Sequence, residues 1–169
     1  MDIENSRYGE IAEQNFRKGY NCSQSVFLAF RDLYDMDEAA AARLSSSFGG
    51  GMGRLREVCG AVSGMFLVAG MLYGYDSPNA QQEKAEHYKR IQELAKAYED
   101  ENGSIVCREL LGLTHKRQEP NPQKRTEEYY KKRPCPKLVQ MAAAIMEEYI
   151  AKHPFKENAN ESWNLRRRI

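Results

Sequence analysis

The sequence predicts an all-α protein, and three observations carry that prediction. Runs of alternating β-branched and aromatic residues are scarce, so strand signals are weak. Apolar residues instead recur at helical spacing almost throughout. Helix-starting residues such as Asn21, Asp37 and the Ser77-Pro78 pair stand ahead of those stretches. The expected architecture is a compact multi-helix bundle with a central glycine-containing helix, built from residues 1–151 as a single domain and followed by a polar tail, 152–169.

The first helix is predicted from Ser6 to Lys18, ended by Gly19-Tyr20-Asn21, whose asparagine suits the cap of the next helix. Cys22 opens that second helix, which carries Val26, Phe27, Phe30, Leu33 and Tyr34 along one face. Asp37 caps a third helix ending near Ser47, and the run Phe48-Gly49-Gly50-Gly51-Met52-Gly53 follows. Val58 to Tyr73 has apolar or small residues on all sides, as a helix surrounded by others requires. Ser77-Pro78 begins a long charged surface helix to Asp100, with Tyr88, Ile91, Leu94, Ala95 and Tyr98 as its inner face. Asn102-Gly103-Ser104 ends it and caps a short helix through Leu111, which places Cys107 at the third helical position. Residues 114–134 are polar and read as a surface loop with one helical turn around Thr126 to Tyr130. Pro134-Cys135-Pro136 starts the last helix, which runs to about Ala151 with Leu138, Val139, Ala142, Ile145, Met146 and Tyr149 as its buried stripe.

Charge narrows the partners. The 169 residues hold 25 basic and 24 acidic side chains, so no global field favours nucleic acid or an anionic membrane. The most apolar stretch, Ala61 to Tyr75, is interrupted by glycines and falls short of the roughly 20 residues that span a bilayer. The opening MDIENSRYGE is polar, without the basic and apolar regions of a secretory signal, and a cytoplasmic location is expected.

In a reducing compartment four cysteines argue for metal binding or redox chemistry rather than permanent bridges. On the predicted boundaries Cys22, Cys59, Cys107 and Cys135 all fall in the first turn of a helix. A helix N-terminus carries unpaired N–H groups and about half a positive charge, which stabilises a thiolate over a thiol. Four thiolates together suit zinc or an iron–sulfur cluster, whereas two facing pairs suit dithiol–disulfide cycling. Any single cysteine reads better as a small buried hydrophobe, so the weight rests on the shared placement of all four. There is no Cys-x-x-Cys pair, and the fold must assemble the site.

The glycine run leads into the Cys59 helix, so Gly49, Gly50, Gly51, Gly53 and Gly60 are candidates for the wall of a cofactor site; a flexible or tightly packed connector is an equally good reading. The run lacks the Gly-Lys-Ser/Thr ending of a phosphate-binding loop and follows no strand. Arg54, Arg56 and Glu57, just before Cys59, could tune a thiolate or pair with a bound group. His87, His115 and His153 sit at no ligand spacing and receive no role.

The ordered set Gly19-Tyr20-Asn21-Cys22-Ser23-Gln24-Ser25-Val26, Phe48-Gly49-Gly50-Gly51-Met52-Gly53, Cys59-Gly60-Ala61-Val62-Ser63-Gly64, then Cys107 and Pro134-Cys135-Pro136, resembles the C_GCAxxG_C_C family of redox-active proteins. The resemblance spans residues 19–150, and its second motif reads Cys-Gly-Ala-x-x-Gly in this chain. It implies that Cys22, Cys59, Cys107 and Cys135 are the redox-active or cluster-binding residues. A related domain is joined to multihaem cytochromes, which implies electron transfer; this chain has no Cys-x-x-Cys-His motif for covalent haem.

The leading expectation is therefore a redox protein in which the four cysteines hold an iron–sulfur cluster or cycle through disulfides, acting as an electron carrier or cysteine-dependent oxidoreductase. A helical module with a structural zinc, or with no cofactor and merely packed cysteines, is the alternative, and a dithiol enzyme acting on a small molecule or protein disulfide is a third. The redox partner is unknown, and a homodimer is the base-rate expectation.

Overall fold

The computed structural model describes residues 5–114 and 117–155. It is all-helical, with no strand among the described residues beyond a single antiparallel bridge between Val58 and Val106. The helices are α1 (Arg7–Arg17), α2 (Cys22–Ala29), α3 (Glu38–Ser45), α4 (Gly60–Tyr73), α5 (Gln81–Asn102), α6 (Cys107–Leu110), α7 (Glu127–Lys132) and α8 (Cys135–Lys152). Short 3-10 turns at Arg31–Leu33 and Ser46–Phe48 flank α3.

Caps set most of the starts. The Ser6 side chain accepts from the Gly9 N–H, Asp37 from Ala40 and Thr126 from Tyr129. Asn21 and Gln24 form a reciprocal capping box at α2. α5 ends on Gly103, whose left-handed φ of 81° turns its N–H back to the Glu99 carbonyl.

α1, α2, α4 and α8 surround one apolar cluster that buries Phe16, Phe27, Phe30, Met65 and Met146 completely. Each such side chain contributes roughly 1.5–3 kcal/mol through burial. Tyr8 stacks on Phe30 at 4.2 Å between ring centroids, and Phe27 on Tyr34 at 4.9 Å. The predicted stripe of α8 is buried through Leu138, Val139, Ala142, Ile145 and Met146, while Tyr149 is half-buried. No helix among the described residues is long and apolar enough to cross a membrane.

Several expected boundaries shift for local reasons. Val58 is not helical, because it pairs with Val106, and α4 begins two residues later. Ser77-Pro78 forms a turn closed by Ala80 N–H to the Ser77 carbonyl (3.2 Å), so α5 starts only at Gln81. Tyr88 is 55% exposed rather than facing inward, since α5 buries only Leu94 and Tyr98, both in its C-terminal half. Ser104 caps no helix; its hydroxyl accepts from Val106 N–H (2.9 Å), and Cys107 is the first rather than third residue of α6. Within the expected tail, Lys152 belongs to α8 and Phe155 packs edge-on against Tyr73; residues 156–169, and His115, lie outside the described residues.

Candidate functional site

The four cysteines reach one place from four helix starts. Cys22, Cys107 and Cys135 are the first residues of α2, α6 and α8, and Cys59 is the residue that caps α4. All four are free thiols; Cys59, Cys107 and Cys135 are buried and Cys22 half-buried.

Two loops are tied together to bring Cys59 and Cys107 side by side. Cys59 N–H donates to the Ile105 carbonyl (2.8 Å) and Cys107 N–H to the Glu57 carbonyl (2.6 Å), on either side of the Val58–Val106 bridge. The glycine run then folds over this pair as a tight turn, with Glu57 N–H donating back to the Gly51 carbonyl (3.1 Å). Gly50, Gly51 and Gly53 take left-handed φ of 68°, 68° and 59°. A Cβ on Gly51 would sit 2.6 Å from Cys107 Cβ, and one on Gly60 would sit 2.8 Å from the Phe48 carbonyl oxygen and 3.0 Å from Cys22 Cβ. Side chains at Gly51 and Gly60 would thus push the cysteines away from the turn.

These elements enclose a cavity of about 270 Å³ lined by all four cysteines, by Gly49, Gly50, Gly51, Gly53 and Gly60, and by four arginines. Arg56 is buried and its Nη1 approaches Cys107 Sγ at 3.5 Å. Its Nε and Nη2 both donate to Gln118 Oε1, at 3.2 and 2.5 Å. Arg54 donates to the same Gln118 oxygen (3.1 Å) and to the Glu119 carbonyl (2.6 Å). Arg125 and Arg133 come from the polar segment before α8, and both guanidinium groups lie over the ring of Tyr129 in α7, 5.6 and 5.9 Å from its centroid. Glu57 turns away from the cavity to pair with Arg108 (3.1 Å).

The thiols are not equivalent. The mutual influence of Cys22 and Cys135 leads the shift of both: Cys22 is pushed well up from 9, with burial adding to the rise, and Cys135 is lowered to about 7. Burial opposes the lowering at Cys135, and the positive charges of Arg133, Arg125 and Arg56 favour it. The pair thus favours a thiolate on Cys135 over one on Cys22. Burial raises Cys59 to about 12; its sulfur lies 3.9 Å from the hydroxyl of the fully buried Tyr98, which also reaches the Leu138 carbonyl (3.5 Å). Burial likewise raises Cys107, against the pull of Arg56.

Among the described residues no group of three or more His, Cys, Asp or Glu side chains is placed to hold a metal ion. As they stand, the four thiols share a cavity without forming a ready ligand set for an iron–sulfur cluster or zinc. His87 and His153 lie away from the cavity, beside Arg90 and Tyr149.

Arg125, Arg133 and Tyr129 carried no site role in the sequence, and Tyr98 was legible only as part of a buried helix face. Of the first three, only Arg133 carried a signal, its position two residues before Cys135.

Neither a curated protein nor a solved structure matches the chain. The profile of the family described as "Putative redox-active protein (C_GCAxxG_C_C)" matches residues 20–149, a span that holds all four cysteines and the glycine turn, and the chain belongs to that family.

Proposed function

We propose that the protein is a thiol–disulfide oxidoreductase in which Cys22 and Cys135 cycle between dithiol and disulfide at the arginine-rimmed cavity. The observation that carries this reading is the placement of Cys22 and Cys135 at the starts of α2 and α8 on one arginine-lined cavity; the directions of their shifts, Cys135 toward thiolate and Cys22 toward thiol, agree with it. Membership of a family described as redox-active supports it.

In the reductive direction the Cys135 thiolate attacks one sulfur of a substrate disulfide. The substrate S–S bond breaks, a mixed disulfide forms at Cys135, and one substrate thiolate leaves. Cys22 then loses its proton and attacks Cys135 Sγ, forming the Cys22–Cys135 bond and expelling the second substrate thiolate. The substrate has gained two electrons and, as the two thiolates protonate, two protons. A dithiol partner resets the pair by the same exchange in reverse. Cys59 and Cys107, buried beside Tyr98 and Arg56, shape the cavity wall in this scheme.

Trapping tests it. Cys22→Ser should stop the exchange at a mixed disulfide on Cys135, read by peptide mass mapping after exposure to a small disulfide. Adducts scattered evenly over the remaining thiols would contradict the reading.

A second reading, a cluster or zinc held by Cys22, Cys59, Cys107 and Cys135, is favoured by the single cavity that all four line. It predicts iron with sulfide, or zinc, in protein purified without oxygen, and loss of that metal in Cys59→Ser.

A further inference from the structure

The cavity's charge departs from that of the chain around it. Acidic and basic residues nearly cancel over the sequence, 24 against 25. Yet the residues lining the cavity include Arg54, Arg56, Arg125 and Arg133 and neither an Asp nor a Glu. The hydrogen-bond partners of these guanidinium groups are uncharged: Gln118 and the Glu119 carbonyl for Arg54, Gln118 and the Cys107 thiol for Arg56, the Phe16 and Tyr20 carbonyls for Arg125, and Gln123 for Arg133. Among the described residues none of the four is ion-paired with a carboxylate.

Neutral partners fix a guanidinium's direction without cancelling its charge. Cations gathered around a cavity repel one another and lose hydration, so they are expected where an anion completes them. A thiolate at Cys135 answers one of the four charges. Arg125 is further fixed over the Phe16 ring at 3.9 Å, which holds the fork in place as ligand arrives. The left-handed φ of Arg54 and Arg56, 68° and 63°, is an uncommon conformation for residues with side chains, and it places both beside the glycine turn at the cavity.

We propose that the cavity selects small disulfides and thiols bearing carboxylates close to the sulfur, with the arginines binding the carboxylates while sulfur meets the Cys22–Cys135 pair. This rests on the redox reading above and names its substrate class. The cavity's small-molecule size and its planar, forked donors suit that chemistry.

Two small disulfides serve as probes: dithiodiglycolate, which carries two carboxylates, and neutral 2-hydroxyethyl disulfide. Each rate with reduced protein is divided by the probe's rate with a free dithiol, to remove intrinsic reactivity. Wild type should favour the dianion at least about tenfold at low ionic strength, and salt should erode that ratio. Arg125→Gln with Arg133→Gln should bring the ratio to within about twofold of unity; a ratio within one variant cancels any change in thiolate content. Equal normalised rates in wild type would overturn the proposal and leave the redox reading standing. If neither probe reacts, the redox reading fails, and calorimetric titration of thiodiglycolate into Cys22→Ser/Cys135→Ser protein decides the anion site alone. Saturable binding lost in the arginine variant would support it, and absence of binding would overturn it.

Discussion

The outer faces of the helices and the cysteine cavity handle charge in opposite ways. On the surface, cations sit four residues from anions: Arg17 with Glu13, Lys96 with Asp100, Lys132 with Glu128, Lys152 with Glu148. At the cavity, four arginines hydrogen-bond amide and carbonyl oxygens and, through Arg56, the Cys107 sulfur, with no carboxylate partner among the described residues. Exposed pairs of the first kind contribute at most a few tenths of a kcal/mol and fade in salt. The second arrangement opposes folding, and it comes with a backbone in which Met52, Arg54 and Arg56 hold φ of 63°, 68° and 63°. Such conformations cost of order 1–3 kcal/mol each and concentrate where function needs them. Charge placement that a stability argument does not explain is thus the best marker of the site.

The largest effect that would sharpen this contrast is on exchange chemistry. Cys135→Ser should lower disulfide reduction by about 100-fold or more, because the other thiols are pushed toward their protonated forms. Reduction at the wild-type rate would break the contrast between the cavity's thiols. Next comes the glycine turn. Gly51→Ala places a methyl against Cys107 and Arg56 at φ 68°, and should cost about 1–3 kcal/mol in urea unfolding. A loss no larger than a surface substitution gives would mean that the turn does not set the cysteine spacing.

The pH dependence is smaller and has two signs. Cys135 is lowered to about 7 from 9, so its contribution to stability is full above pH 9 and lost as pH falls through 7. Cys59 is raised to about 12, so its contribution is full below pH 9 and lost as pH rises through 12. Cys59→Ala should therefore flatten part of the loss of stability between pH 9 and 12, measured by thermal unfolding. An unchanged slope would count against its burial as a thiol. The smallest effect belongs to the surface: Glu13→Gln should change stability by no more than about 0.5 kcal/mol and exchange rates not at all.

Local chemistry was legible where it decides structure locally. Asn21 and Asp37 have side chains suited to capping, and each caps the helix expected of it; Ser6, expected as the first residue of α1, instead caps it. Pro134-Cys135-Pro136 marks the start of α8 for the same kind of reason. The gathering of cysteines at helix starts followed from those starts. What stayed hidden depends on distant partners. Val58 looks helical until Val106, far along the chain, pairs with it. Tyr88 fits the apolar period of α5, but that end of the helix buries no side chain. Arg125 sits in a polar stretch that reads as a solvated loop, and its role arises only because it bonds the Phe16 and Tyr20 carbonyls beside the cavity.

The most direct test of the central claim is a thiol redox titration without oxygen, in which the protein is equilibrated across glutathione buffers, alkylated and mapped by mass spectrometry. The expected result is a two-electron transition that forms a Cys22–Cys135 disulfide while Cys59 and Cys107 stay reduced. Four thiols that remain reduced across the range, or stoichiometric iron and sulfide or zinc bound to them, would contradict it.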